Sequence, residues 1–227
     1  MYLTHGLLRG KNCGKFNTSV FYRDHAAIGI GSLIVFIAMI LVAGIAASVV
    51  FETMTDMQHQ ALITGDETLT DISTGIKITQ ISGFTNNTSI NQVAFFVSSI
   101  AGSSALDLSD TTIIISDSTQ QLILRYDNTS FSESVANGLF GTLNASNLSS
   151  TEFGILIIRD VDDSCSSDLP VINENDIVAI YVNTSACFQG IDPRTRVSGR
   201  IIIEEGMSAL YGFTAPSVFV DNIVDLM

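Results

Sequence analysis

Chemistry in this chain would have to be built from few parts. Beyond position 26 a single histidine, His59, is available to a nucleophile, and it falls on a helical stretch remote from the candidate serines and cysteines. A Ser-His-Asp or Cys-His arrangement needs its groups converging on one point, so no enzymatic role is expected. No Gly-rich phosphate loop and no His/Cys cluster with zinc spacing occurs. What does gather is carboxylate: Arg159-Asp-Val-Asp-Asp-Ser-Cys-Ser-Ser-Asp168 carries four. Asp160, Asp162 and Asp163 could converge on Ca²⁺, an ion that takes about six to eight oxygen ligands. An EF-hand loop starting there would need glycine where Cys165 stands and glutamate where Val171 stands. That motif fails, and the expectation is a solvated acidic loop with no cofactor, Ca²⁺ being the one candidate.

Two other residue types invite modification. Asn-x-Ser/Thr sequons occur at Asn86, Asn87, Asn128, Asn144, Asn147 and Asn183, with a further one at Asn17. In loops of an exported domain such asparagines accept glycans, although several arise by chance in so Ser/Thr/Asn-rich a chain. Of three cysteines, Cys13 precedes the main apolar run while Cys165 and Cys187 lie far beyond it. In an oxidising compartment the last two are expected to pair, the alternative being two buried free thiols. On the chain-entropy account such a bridge contributes roughly 3 kcal/mol.

The element that decides where all this happens is Ala26–Phe51, 26 residues without a charge or a proline. As a helix it would reach about 39 Å, enough for a bilayer core of about 30 Å. It is apolar on every side, so no face is suited to water; lipid or the centre of an assembly must cover it. Ala43/Ala47 and Gly44/Ser48 put small residues four apart, a spacing that permits close helix packing. Beyond Phe51 the pattern turns amphipathic, with Met54, Met57, Ala61 and Leu62 at helical spacing. Arg9, Lys11, Lys15 and Arg23 precede the run, and after Ala26 there are 6 basic against 22 acidic side chains, a formal −16. Basic, apolar, acidic is the order of a secretion signal. The run is about twice the length of a common signal core, and no Ala-x-Ala site follows it, so the helix is expected to be retained. The acidic surface excludes nucleic acid as a partner.

From Gly75 the period changes to two, and Ser, Thr, Asn and Gly dominate. Strands are predicted at 75–81, 93–100, 111–116, 120–126, 154–159, 177–182, 200–204, 210–213 and 218–220. The fold class read from this is α+β: a long N-terminal hydrophobic helix, then an antiparallel, Ig-like β-sandwich or barrel. The expected domains are a leader over 1–26, a helix over 27–74 and an outer β domain over 75–227.

The segment Ala27-Ile-Gly-Ile-Gly-Ser-Leu-Ile-Val-Phe-Ile-Ala-Met39 closely resembles the start of mature archaeal flagellins (archaellins), and the likeness runs on to Val50. Asn175-Asp-Ile-Val-Ala-Ile-Tyr-Val-Asn183, Ile191-Asp-Pro-Arg-Thr-Arg-Val-Ser-Gly-Arg200 and Phe213-Thr-Ala-Pro-Ser217 are similar to that family's C-terminal stretches. The resemblance covers about 27–82 and 172–227. It implies a type IV pilin-like subunit of the archaellum, the rotating swimming filament. A leader peptidase would cut between Ala26 and Ala27, leaving Gly29 third in the mature chain. The helix would leave the membrane, and copies would stack with one another and with other archaellins into a filament on the cell surface. The leader departs from the family pattern by ending Arg23-Asp-His-Ala26, where a basic residue and glycine are usual. The competing readings are an archaeal adhesion pilin, against which the Pro-Arg-Thr and Phe-Thr-Ala-Pro segments speak, and a membrane-anchored surface glycoprotein, against which the helical extension past Phe51 speaks.

Overall fold

The computed structural model describes residues 19–142 and 147–227. The chain forms two compact units, Met1–Leu62 and Ile63–Met227. The described part of the first is one stretch of helix α1, which spans Ser19–Ser73 and crosses the unit border. Its 55 residues would extend about 82 Å at helical rise. A run of Ala, Leu, Ile and Met without proline propagates readily. Its hydroxyl side chains bond back into the helix, Ser32 donating to Gly29 O at 2.9 Å, Thr53 to Val50 O at 2.9 Å and Thr55 to Phe51 O at 2.9 Å. These polar groups therefore need no outside partner.

The second unit begins with the last turns of α1, twelve residues before the sequence-based border at 74/75. The physical reason lies at the end of the helix. Thr70 and Thr74 line a pocket with Leu106, Asp107, Ile203 and Glu204, and Thr74 is buried. Thr74 O accepts from Met207 N at 2.8 Å, Gly75 O from Ile100 N at 2.9 Å, and Gly75 N donates to Ser103 Oγ at 2.9 Å. A Cβ on Gly206, whose φ is +105°, would meet Thr74 O at 2.4 Å. Only glycine permits both that backbone conformation and that approach.

Eleven strands follow: β1 Ile76–Thr85, β2 Ile90–Ser99, β3 Leu106–Asp107, β4 Thr112–Ser116, β5 Gln121–Ser132, β6 Glu152–Arg159, β7 Val171–Ile172, β8 Ile177–Asn183, β9 Arg196–Ile202, β10 Ala209–Thr214 and β11 Ile223–Asp225. Among the described residues there are also two short helices, α2 Leu139–Thr142 and α3 Thr184–Phe188. Nine strands make one sheet in the order β10-β9-β4-β5-β6-β8-β2-β1-β11, and β3 pairs with β7. The sheet curls so that β1 meets β10, bridged by Gly75 and Met207. The α+β class is the one read from the sequence. Some details differ. The pair β5–β6 is parallel, not the hairpin expected of consecutive strands. β9 starts at Arg196, four residues before the predicted strand, and pairs through it with Thr214. No strand forms at 218–220; the edge strand is β11, whose Val224 faces Gly83 of β1.

The main core fills the inside of the curl with Ile81, Phe95, Ile113, Leu124, Phe153, Ile180, Val197 and Phe213. β4 and β10 alternate between buried and outward positions, as a sheet with one wet face requires. β6 and β8 are buried on both faces. Their outer side carries a second cluster, Ala94, Leu148, Leu156, Ala179 and Tyr181, covered by Leu139 and Phe140. The Tyr181 hydroxyl donates to Leu139 O, and the Phe140 ring meets Tyr181 edge-on at 5.9 Å between centroids.

Candidate functional site: the apolar helix and the polar loops

The functional surface is α1 itself. Ile28–Ser73 contains a stretch apolar and long enough to cross a membrane, and among the described residues none of that stretch is buried. Phe36 is 63% exposed, Leu41 62% and Phe51 70%. At about 25 cal/mol per Å² of apolar surface, an uncovered helix of this size would be strongly unfavourable in water. Ala43, Gly44, Ala47 and Ser48 are exposed on it, and a Cβ at Gly29 or Gly44 would meet nothing within 4 Å. Among the described residues, no packing thus requires their small size. Ala26 and Ala27 lie within the helical span. The basic leader positions Arg9, Lys11 and Lys15, with Cys13 and Asn17, fall outside the described residues. His59 is exposed on α1.

The sequons divide by environment. Asn86 and Asn87 sit exposed in the β1–β2 turn, where Asn86 Oδ1 accepts from Thr88 N and Ser89 N, both at 3.1 Å. Asn87 takes a left-handed φ of 70°. Asn128 and Asn147 are exposed as well, and Asn144 lies outside the described residues. Asn183 corrects the expectation. It is 7% exposed and caps α3, its Oδ1 accepting from Ala186 N at 3.3 Å while its Nδ2 donates to Leu148 O at 3.1 Å. The nitrogen that a glycan would need is consumed by the fold.

The expected Cys165–Cys187 disulfide is likewise corrected, since both residues are buried free thiols. Cys165 N donates to Asp160 Oδ2 at 2.9 Å and the residue bridges to Pro170, which fixes it in the acidic loop. Cys187 lies on α3, its thiol 3.6 Å from Ser150 O. Burial, with Asp160 and Asp176 nearby, pushes the Cys165 thiol up to about 12. Burial alone pushes Cys187 up to about 11. Neither is an activated nucleophile.

In the acidic loop the carboxylates that converge are Asp160, Asp162 and Asp176, their oxygens within 4.8 Å of one another. Asp163 is exposed, with φ 56°, and stands outside that cluster. Asp176 is 1% exposed, and its Oδ1 accepts from Val161 N at 3.1 Å, its Oδ2 from Asn173 N at 3.0 Å. Asp160 accepts from Asp162 N, Ser164 N and Cys165 N. Asp162 is held below the usual carboxylate range by hydrogen bonds from Ser164 and Asn173. Turn-forming backbone N–H groups thus already engage this cluster. Asp176 escaped the sequence reading because it follows Asp160 by a whole hairpin; the only cue was its place beside the β8 run.

Residues 26–213 match the family model for archaeal-type flagellin. The chain belongs to that family. Among relatives, it is 41% identical over 198 residues to flagellin B2 of Methanocaldococcus jannaschii, covering 86% of this chain and 91% of that one. It is 36% identical to flagellin B4 of Pyrococcus abyssi, covering 85% and 94%. Its fold is similar to the crystal structure of flagellin FlaB1 from M. jannaschii, with a TM-score of 0.62 and 25% identity over 67% of this chain and 96% of that one. The archaeal flagellum of Methanospirillum hungatei strain JF1 shares the fold over 86% of this chain at a TM-score of 0.59 and 13% identity. This flagellin is thus a structural subunit of the archaellum filament, and the residues singled out above are read in that light.

Proposed function

We propose that the flagellin enters the membrane through α1, is cut by a leader peptidase between Ala26 and Ala27, and then packs α1 against other copies at the axis of the swimming filament. One observation carries this reading: among the described residues, nothing covers the most apolar stretch of α1. Lipid and a bundle of like helices are the two environments that suit such a surface, and the pathway uses them in turn. The open, head-to-tail stacking of identical subunits gives a filament instead of a closed ring. The β domain then faces the medium, carrying glycans at Asn86 or Asn87, Asn128 and Asn147.

N-terminal sequencing of sheared filaments tests the processing step. A start at Ala27 is expected; Met1, or any residue beyond Phe51, would rule out a retained, processed helix. Replacing Gly44 by Asp tests the core. A carboxylate in a dry bundle costs several kcal/mol unless paired, so Gly44→Asp should abolish filaments while the β domain stays folded. Normal filaments from that variant would place the helix elsewhere.

A further inference from the structure

The flagellin has six basic side chains after Ala26, and three of them share one wall of the β domain. On β9 the outward positions are Arg196, Ser198 and Arg200, alternating with buried Val197 and Ile201. Register carries the same face across the neighbouring strands. Arg200 stands between Leu210 of β10 and Ile114 of β4, and Ile114 is followed by Ile123 of β5. Arg125 lies two positions further along β5, opposite Thr112. Leu210 is 80% exposed and Ile123 52%. A shallow groove lined by Ile114, Arg200, Leu210 and Tyr211 runs over this wall. A basic face with an apolar centre is out of keeping with a chain of formal −16.

The loop after β6 presents the converse. Val161 is 68% exposed and Leu169 53%, flanked by exposed Asp162, Asp163, Asp168 and Glu174. It joins apolar knobs to negative charge, as the wall of β10-β9-β4-β5 joins them to positive charge. We propose that the Arg196–Arg200–Leu210 wall of one subunit docks the Val161–Leu169 acidic loop of the next copy, a heterologous contact between outer domains. This inference rests on the filament reading above. Charge complementarity chooses the occupant: three of the six basic side chains after Ala26 flank exposed Leu210 and Ile123 on the wall, and exposed Asp162, Asp163, Asp168 and Glu174 flank Val161 and Leu169 on the loop. Two different patches on each copy, each matched to the other, are what an open stack needs. Opposed patches also fix register and partner choice.

The test uses the full chain as the sole flagellin of the cell, with sheared filaments diluted into decreasing salt. Net repulsion sets a salt threshold below which filaments come apart. The pair R196E/R200E should raise that threshold at least twofold, and adding D168R/E174R should return it to the parental value. Both rescue positions are exposed and accept no side-chain hydrogen bond. A control restores the same charge at the other edge of the sheet, D221R/D225R. It should leave the threshold raised. Cysteines at Leu210 and Leu169 together should give a ladder of oxidised multimers, and either alone should not. An unchanged threshold in R196E/R200E, equal rescue by the control, or no ladder would each overturn the contact. If Gly44→Asp abolishes filaments while R196E/R200E filaments match the parent, the filament reading stands and this contact alone fails.

Discussion

Replacing Asn183 by alanine removes two hydrogen bonds from a buried corner, the cap on Ala186 N and the donation to Leu148 O. Loss of an N-cap costs about 1 kcal/mol, and an orphaned buried carbonyl adds about 1–3 kcal/mol. Asn183→Ala should therefore lower the thermal midpoint of the β domain clearly, whereas Asn128→Ala should hardly move it. Glycopeptide mapping should find position 183 bare. Nothing in Asn183-Thr-Ser distinguishes it from the other sequons, because its burial is decided by a strand partner and by Leu148, remote in the chain. The thiols make a second residue-scale prediction. Both are protonated at neutral pH, so a thiol reagent should modify Cys165 and Cys187 only after denaturation. Their folded values, about 12 and about 11, exceed the ordinary 9.0. The unfolded chain releases these protons first, so the stabilisation is complete below pH 9 and is lost as pH rises through the folded values. Burial also pushes up Tyr211, Tyr181 and Tyr126, which sharpens the alkaline transition. Urea midpoints measured at neutral and at strongly alkaline pH would show the decline; a flat profile would contradict the burial of these groups.

At the level of elements, the helix was legible because its signal is local: one uninterrupted run of apolar residues says both helix and no water. Most strands were legible for the same reason, a period of two. What local pattern does not contain is order. The β5–β6 parallel pair and the place of β11 depend on residues far apart in the chain. The segment 218–220 looks like a strand by composition, yet Val218 and Val220 are exposed and only Phe219 reaches the core. The clamp where α1 enters the β domain can be tested directly. Gly206→Ala forces an unfavourable φ and a clash with Thr74 O, which should cost about 1–3 kcal/mol. Calorimetry should show a clear fall in the midpoint, larger than for Gly102→Ala, where the φ penalty applies but open space surrounds the new methyl. Tyr181→Phe removes the hydroxyl that holds Leu139 O. It should cost about 1 kcal/mol and speed proteolysis within 133–150.

For the whole molecule, a formal −16 after Ala26 means that stacked copies repel unless counterions lie between them. Filaments should fragment at low ionic strength and recover with salt or divalent cations, as light scattering or electron microscopy would record. Insensitivity to salt would mean that the charge is neutralised by specific contacts throughout. The acidic character was plain in the sequence; its uneven distribution over the β domain was not, since it depends on which strand lies beside which.

The hydroxyls of Ser32, Thr53 and Thr55, turned inward on α1, have a mechanical consequence. Helices bound to one another by shape alone strongly resist being pulled apart, but sliding one past the next breaks no directional bond. A bundle of α1 helices would accordingly be cohesive across its width and compliant in shear. Bending such a filament shortens one side and lengthens the other. Helices free to slip accommodate that strain without fracture, and the polar outer domains are left to restore each subunit to its place.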